Sequence, residues 1–333
     1  MAQTKLDAIT QLSRFQSRLN NLGYQTLEQF LGAAHASPYA MKGCLETDTD
    51  DLLTSLPAQY QPAVAAARAY ASAPRKFGLG AALSRKPGPQ PRFDAFLAAP
   101  VLPPKFDLIA QMPPIEDQGQ RGTCVAFASL ATVEHYAGLQ GAYKNMSEQF
   151  LYWDCKAWDG ESGSDYTWLE VSFARLQDDG CCLAATWPYN ANPTPGNLGQ
   201  GPPTAGARAD AAAYTIAQYN PLAAKSVPDL KAELVRGRAI AFIIPIFNSW
   251  YQNSGVTQSG DITMPLPGEP DQGGHAMCLV GYKDNAGDPG GGRFIVRNSW
   301  GPWWGTKSPY GAGYGTIPYD YLTKLGDTAY SIY

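Results

Sequence analysis

Residues 118–136 read QGQRGTCVAFASLATVEHY, a glycine-containing loop that runs without a break into an apolar stretch with helical period. The join falls at Cys124. A cysteine at the start of a helix feels the positive end of the peptide dipoles, which favours the thiolate, the form that acts as nucleophile. Local sequence equally allows a small buried hydrophobe at that place, so the question is which base could serve the thiol. The chain has three histidines, His35, His135 and His275. His135 lies on the same predicted helix, eleven residues on, which at ~1.5 Å per residue is roughly 16 Å away and out of reach. His35 belongs to a separate helical region. His275 stands in QGGHAMCLVGYKD (272–284), where two glycines precede a predicted strand and leave room for a substrate backbone. A cysteine and a histidine far apart in sequence and joined by the fold are the expected form of a thiol hydrolase.

Two further residues fit the same chemistry. Asn298, in RFIVRNSWGPWWG (293–305), ends a predicted strand beside an aromatic cluster. An amide oxygen there would fix the imidazole tautomer, with Trp300 and Trp304 keeping the bond dry. Gln118 precedes Cys124 by six residues, and its amide can be aimed, beside the Cys124 N–H, at a carbonyl oxygen under attack.

Outward from these positions the chain divides into three. Residues 1–73 read as a small all-helical domain: Leu6, Ile9, Leu12, Phe15 and Leu19 recur every three or four residues, Thr26 stands before LEQFLGAA, and Asp48 to Asp51 stand before LLTSL as N-caps. The turn Leu22-Gly23-Tyr24 is weakly reminiscent of a helix-hairpin-helix unit, but five Lys/Arg against six Asp/Glu in residues 1–72 favour packing, docking or autoinhibition over nucleic acid. Residues 74–101 form a basic, proline-rich linker, read equally as a spacer and as a strap across a neighbouring surface or a cleavage site. Residues 102–333 form the third unit, with helical patterns at 124–139 and 168–176 and strand-like runs at 239–247, 276–282, 294–297 and 314–318. Helices early and strands late predict an α+β domain with two halves facing across a cleft.

Composition bounds the rest. The chain has 333 residues, 44% hydrophobic and 16% charged, with net charge −4, which gives no electrostatic reason for a nucleic-acid or anionic-membrane partner. Six cysteines without C-x-x-C pairs are too sparse for a disulfide scaffold, and no cofactor or metal is expected. The N-terminus lacks the apolar core of a secretory signal, so cytosolic synthesis is expected, with export by a specialised route left open.

In order, DQGQRGTCVAFA, MSEQFLYWDC, GGHAMCLVGY and NSWGPWWG resemble the signature blocks of papain-like C1 cysteine peptidases; LPPKFDLIAQMPPIEDQG resembles the family's mature N-terminus, and WPY at 187–189 fits as well. The resemblance spans roughly 102–320. It implies a helical left half and an antiparallel β-barrel right half with the site between them. It also implies Cys124 as nucleophile, His275 as acid/base, Asn298 as its orienting partner and Gln118 as oxyanion donor. Tyr166, Trp168, Asp165, Gly274 and Trp300 then fall at substrate-binding positions. Departures accompany it. Arg121 stands where plant and animal members carry a disulfide-forming cysteine. SGSD at 162–165 replaces their C-N-G-G block, placing Asp165 where a glycine offers its backbone to substrate. Gly274 replaces the Asp that often precedes the histidine, a form that resembles bacterial members. Cys155 falls where the family often has a bonded cysteine, with Cys182 its first candidate mate and Cys181 the next. Residues 1–72 do not resemble the family's inhibitory propeptide. The expected function is a cysteine endopeptidase acting on protein or peptide. The alternatives are deamidase, amidase or transamidase chemistry at the same site and, ranked lower, a silent peptide-binding groove. The 248–272 insert is a candidate cover for that groove.

Overall fold

The computed structural model describes residues 3–74, 77–84, 100–192 and 199–333. The chain opens with two short 3₁₀ segments, Leu6–Ala8 and Thr10–Phe15, where α-helix was expected. The apolar spacing of three at Leu6, Ile9, Leu12 and Phe15 is the 3₁₀ period, so all four face one side and are buried. Five helices follow: α1 (Gln16–Asn21), α2 (Leu27–Ala36), α3 (Pro38–Leu45), α4 (Thr49–Thr54) and α5 (Gln61–Ala71). Thr26 caps α2 in a reciprocal capping box with Gln29, and Asp48 caps α4 through the N–H groups of Asp50 and Asp51.

The larger unit begins with the short strand β1 (Lys105–Asp107) and three helices, α6 (Cys124–Leu139), α7 (Glu148–Trp158) and α8 (Leu169–Asp178). Then come α9 (Ala207–Ala211), β2 (Tyr219–Leu222), α10 (Val227–Val235), β3 (Ile240–Phe247), α11 (Asn248–Tyr251) and α12 (Ser254–Ser259). β4 (Asp271–Asp284), β5 (Gly292–Arg297), β6 (Tyr314–Pro318), α13 (Tyr319–Leu325) and β7 (Ala329–Ile332) complete it. The strands form one antiparallel sheet in the order β2-β7-β3-β4-β5-β6, with β1 on β4. The architecture is α+β, as expected.

α6 is apolar around its circumference, and its residues 124–135 are all buried. A helix of that kind belongs in a core. One apolar cluster joins Leu130, Phe150, Leu169 and Phe173 of α6, α7 and α8; a second is built on β3, β4 and β5 with Trp250, Trp300 and Trp304. The α6–β4 seam between them carries the chemistry.

The 248–272 insert is the seat of the helical domain, and its Tyr251 also reaches the Phe77 carbonyl of the linker. Leu266 sits in the core of the N-terminal cluster. Asn253 is fully buried at the join: its Nδ2 donates to the Gln29 carbonyl on α2 at 2.7 Å, and its Oδ1 accepts from Gly255 and Val256. A Cβ on Gly32 would lie 2.0 Å from Asn253 Oδ1, so glycine there lets the two elements meet. Among the described residues no helix is long and apolar enough to cross a membrane.

Candidate active site

Cys124 is the first residue of α6, and its Sγ is buried with the Ala276 N–H 3.4 Å away. That contact brings β4 across the seam and sets His275, the residue before Ala276, beside the thiol. His275 is fully buried, and its Nε2 lies 2.8 Å from Asn298 Oδ1. An amide oxygen only accepts, so Nε2 carries the proton and Nδ1 keeps its lone pair. Nδ1 is buried without a hydrogen-bond partner. Trp300 stacks on the imidazole, centroids 4.5 Å apart, and Trp304 meets Trp300 edge-on. This is the dry shield expected over the His–Asn bond.

Gln118 is fixed at both ends of its amide. Oε1 accepts from Ser299 Oγ at 2.6 Å, and Nε2 donates to the Arg121 carbonyl at 2.8 Å and the Gly78 carbonyl at 3.1 Å. Ser299, which sequence reasoning passes over, also donates its N–H to Asn298 Oδ1 at 2.8 Å and accepts the Gln118 N–H on its carbonyl. It therefore ties the orienting amide to the oxyanion amide; its only sequence signal is its place after Asn298.

Residues 77–84 of the linker lie across this constellation. The Gly78 N–H donates to the Gly119 carbonyl at 3.0 Å, and Ala81 N–H to Gly274 at 3.3 Å. Thr167 exchanges two bonds with the segment, accepting from Ala82 at 2.8 Å and donating to Gly80 at 3.1 Å. Phe77 stacks on Trp300 at 4.6 Å, Tyr251 donates its hydroxyl to the Phe77 carbonyl, and the Ser84 N–H donates to both Asp327 oxygens. A Cβ at Gly78 would lie 2.1 Å from the Arg121 oxygen, and one at Gly80 would lie 1.9 Å from the Gly122 oxygen. Only glycine passes so close to that floor. Of the two readings of the linker, its residues 77–84 follow the strap.

Burial under the segment sets the electrostatics. Desolvation pushes the Cys124 thiol up to about 11, against the lowering effect of the N–H groups of Ala276, Gly80 and Val125. It pushes His275 down to about 4, against its bond to Asn298. Covered, the pair is neutral near pH 7.

The other expected positions fall as follows. Gly274 pairs with the segment, and Tyr166 and Trp168 meet edge-to-face at 5.7 Å on the same rim. The backbone offered to the segment belongs to Thr167, two residues past Asp165. Asp165 is exposed; its carbonyl accepts the Tyr152 hydroxyl at 2.8 Å. The residue that pairs with the segment is thus two places from the one that the motif position suggests. All six cysteines are free and buried, so the expected candidate bond from Cys155 to Cys182 is not formed. Titrating the unfolded, unreduced protein with a thiol reagent is expected to give six thiols per chain; four would mean that a bond forms. His135 is buried farther along α6, its pKa pushed down to about 4 by desolvation.

Comparison with known proteins gives one family. The model described as "Papain family cysteine protease" matches residues 102–317. An uncharacterized peptidase C1-like protein of Acanthamoeba polyphaga mimivirus is 28% identical over 219 residues, 62% of this chain and 64% of that protein. A cathepsin B-like protein of Giardia intestinalis is 29% identical over 216 residues, 61% of this chain and 66% of its own. The chain thus spans just under two thirds of the length of these curated relatives. Among solved structures, xylellain, a cysteine protease from Xylella fastidiosa, superposes with TM-score 0.62 at 27% identity, covering 78% of this chain and 98% of its own. Procathepsin L 3 of Tenebrio molitor shares the fold at 18% identity with TM-score 0.54, covering 97% of this chain and 99% of its own.

Proposed function

The chain belongs to the papain family of cysteine proteases, and from that premise we propose that it is an endopeptidase whose thiol is Cys124. The observation that carries the reading is His275, with Nε2 held by Asn298 at 2.8 Å, Nδ1 buried without a hydrogen-bond partner, and the next residue's N–H 3.4 Å from Cys124 Sγ. Nδ1 takes the Sγ proton, and the thiolate attacks a peptide carbonyl carbon. The oxygen, now negative, faces the Gln118 amide and the Cys124 N–H at the start of α6. The imidazolium gives its proton to the leaving amine nitrogen as the C–N bond breaks, leaving a thioester. Water, losing a proton to His275, then attacks that thioester, and the acid departs as the thiol re-forms.

The substrate class is an extended peptide. The support is residues 77–84, whose peptide groups bond to Thr167, Gly274 and Gly119 as an extended substrate would. That segment is itself unsuited to attack. The oxygen at Gln118 belongs to Gly78, whereas the N–H that lowers the Cys124 thiol comes from Gly80, two residues on, a register we read as unproductive. We read it as an inhibitory strap, with residues 1–73 as the docked domain that anchors its entry and 102–333 as the catalytic unit. Mass spectrometry of a peptide library incubated with strap-opened protein tests the activity. Internal cleavage, each event adding one water, is expected; a shift of about 1 Da on glutamine without cleavage would put deamidation in its place.

A further inference from the structure

We propose that Arg121 is a positioning residue for the oxyanion site, acting through Gln118; the inference rests on the peptidase reading. Arg121 lies three residues before the nucleophile and is buried. Its guanidinium lies 5.1 Å from the Tyr152 ring centroid and 5.0 Å from that of Tyr189. Its Nη1 donates to Gln149 Oε1 and to the Asn190 carbonyl, each at 2.7 Å. A planar cation that contacts two rings and spans two acceptors is held in one orientation, and its backbone with it.

What that backbone holds is the oxyanion donor. The Arg121 carbonyl takes the Gln118 Nε2 proton at 2.8 Å, and Tyr189 donates its hydroxyl to the Gln118 carbonyl at 2.8 Å. With its one proton so used, the Tyr189 oxygen accepts from Thr123 Oγ1 at 2.7 Å. The turn from Gln118 to Thr123 is thus gripped at three points by one guanidinium–tyrosine cluster. Both groups hold the turn that precedes Cys124. Loosening the cluster should therefore blunt stabilisation of the oxyanion and leave the nucleophile intact.

The test uses the full-length chain with Gly80→Val as parent, so that the strap is unseated, and adds Arg121→Ala, Gln118→Ala and the pair. Removing an oxyanion donor costs about 10²–10³ in kcat, and Arg121→Ala, which misplaces the donor, is expected to cost about 10–10² with KM changed less than about twofold. Alkylation of Cys124 by iodoacetamide forms no oxyanion, so its rate should stay within about twofold of the parent. In the Gln118→Ala background Arg121→Ala should cost less than about twofold more, because what it acts through is gone. Tyr189→Phe, which keeps the ring and deletes only the two hydroxyl bonds, carries the same cycle if Arg121→Ala fails to fold. Equal costs in both backgrounds, or alkylation falling in step with kcat, would overturn the positioning role alone. A parent whose Cys124 alkylates freely yet cleaves no peptide would overturn the peptidase reading and this proposal with it.

Discussion

Cys124→Ala is expected to reduce peptide hydrolysis by at least about 10⁴-fold, to the background of the assay, in protein that still folds. The size follows from what is removed. Without Sγ there is no covalent intermediate, and His275, Asn298 and Gln118 surround a methyl group with nothing to transfer. The fold should survive because Cys124 is enclosed by the apolar neighbours of α6, where a side chain smaller by one sulfur leaves only a small void. His275→Ala should approach the same floor, since it removes the imidazole that takes the Sγ proton and returns it to the leaving amine. Asn298→Ala should be milder, because the imidazole keeps its stack on Trp300 and loses only the acceptor that fixes its tautomer. Thermal unfolding of each variant beside its kcat/KM separates loss of chemistry from loss of structure. Cys124→Ala protein that is folded and still cleaves at the wild-type rate would remove Cys124 from the mechanism.

The same local logic explains which parts of the fold and the site are legible in the amino-acid sequence. Thr26 and Asp48 cap helices because a short oxygen-bearing side chain ahead of an apolar run has one useful thing to do there. α6 runs from Cys124 to Leu139, matching the periodic stretch at both ends, because its start is a glycine loop and its apolar content leaves no alternative. Cys124, His275 and Asn298 are legible as chemistry because thiol, imidazole and amide at ordered distances have few other joint uses. Thr167 is not, since it binds through its peptide group and any side chain supplies that. Ser299 is hidden by being one hydroxyl among many. The N-terminal 3₁₀ segments read as α because spacings of three satisfy both periods over so short a run.

Residues 77–84, FGLGAALS, predict no element at all. They match neither the 3.6-residue nor the two-residue period, because their order is not local. Their backbone bonds end on Gln118, Gly119, Thr167, Tyr251, Gly274 and Asp327, between 40 and 243 positions away. Contacts of that range leave only a steric trace in sequence, here the glycines at 78 and 80. The insert at 248–272 is opaque for a related reason. Its buried Asn253 reads as a loop asparagine until α2 supplies the carbonyl to which its amide donates.

Those two glycines make the strap testable in one substitution. Gly80→Val is expected to raise the rate at which iodoacetamide labels Cys124 by about 10²–10³-fold. The wild-type rate is limited by the covered state, in which Sγ is buried and its proton is held to about pH 11. A Cβ at residue 80 would stand 1.9 Å from the Gly122 oxygen, and neither atom belongs to a flexible side chain. The segment must lift, losing its bonds to Gly274, Thr167 and Gly119, each worth about 1 kcal/mol net; losing three or all four corresponds to that change in rate. Gly163→Val, at a glycine with open space around it, is the control and should leave labelling unchanged. The wild-type protection should also depend on pH with a definite sign. Above an ordinary thiol value of ~8.5 the open state has lost a proton that the covered state keeps until about 11, so alkali favours opening. Below an ordinary imidazole value of ~6.5 the open state gains a proton that covered His275 refuses until about 4, so acid favours opening as well. Protection is therefore greatest between those two ordinary values. The Asp165 carboxylate, which raises the Cys124 thiol, and the Asn298 amide on His275 are the neighbours that tune the two limits. Once each labelling rate is divided by the thiolate fraction of the variant, the ratio of Gly80→Val to wild type should peak in that window and shrink on either side. Equal labelling of the two proteins at neutral pH would mean that the segment does not guard the thiol.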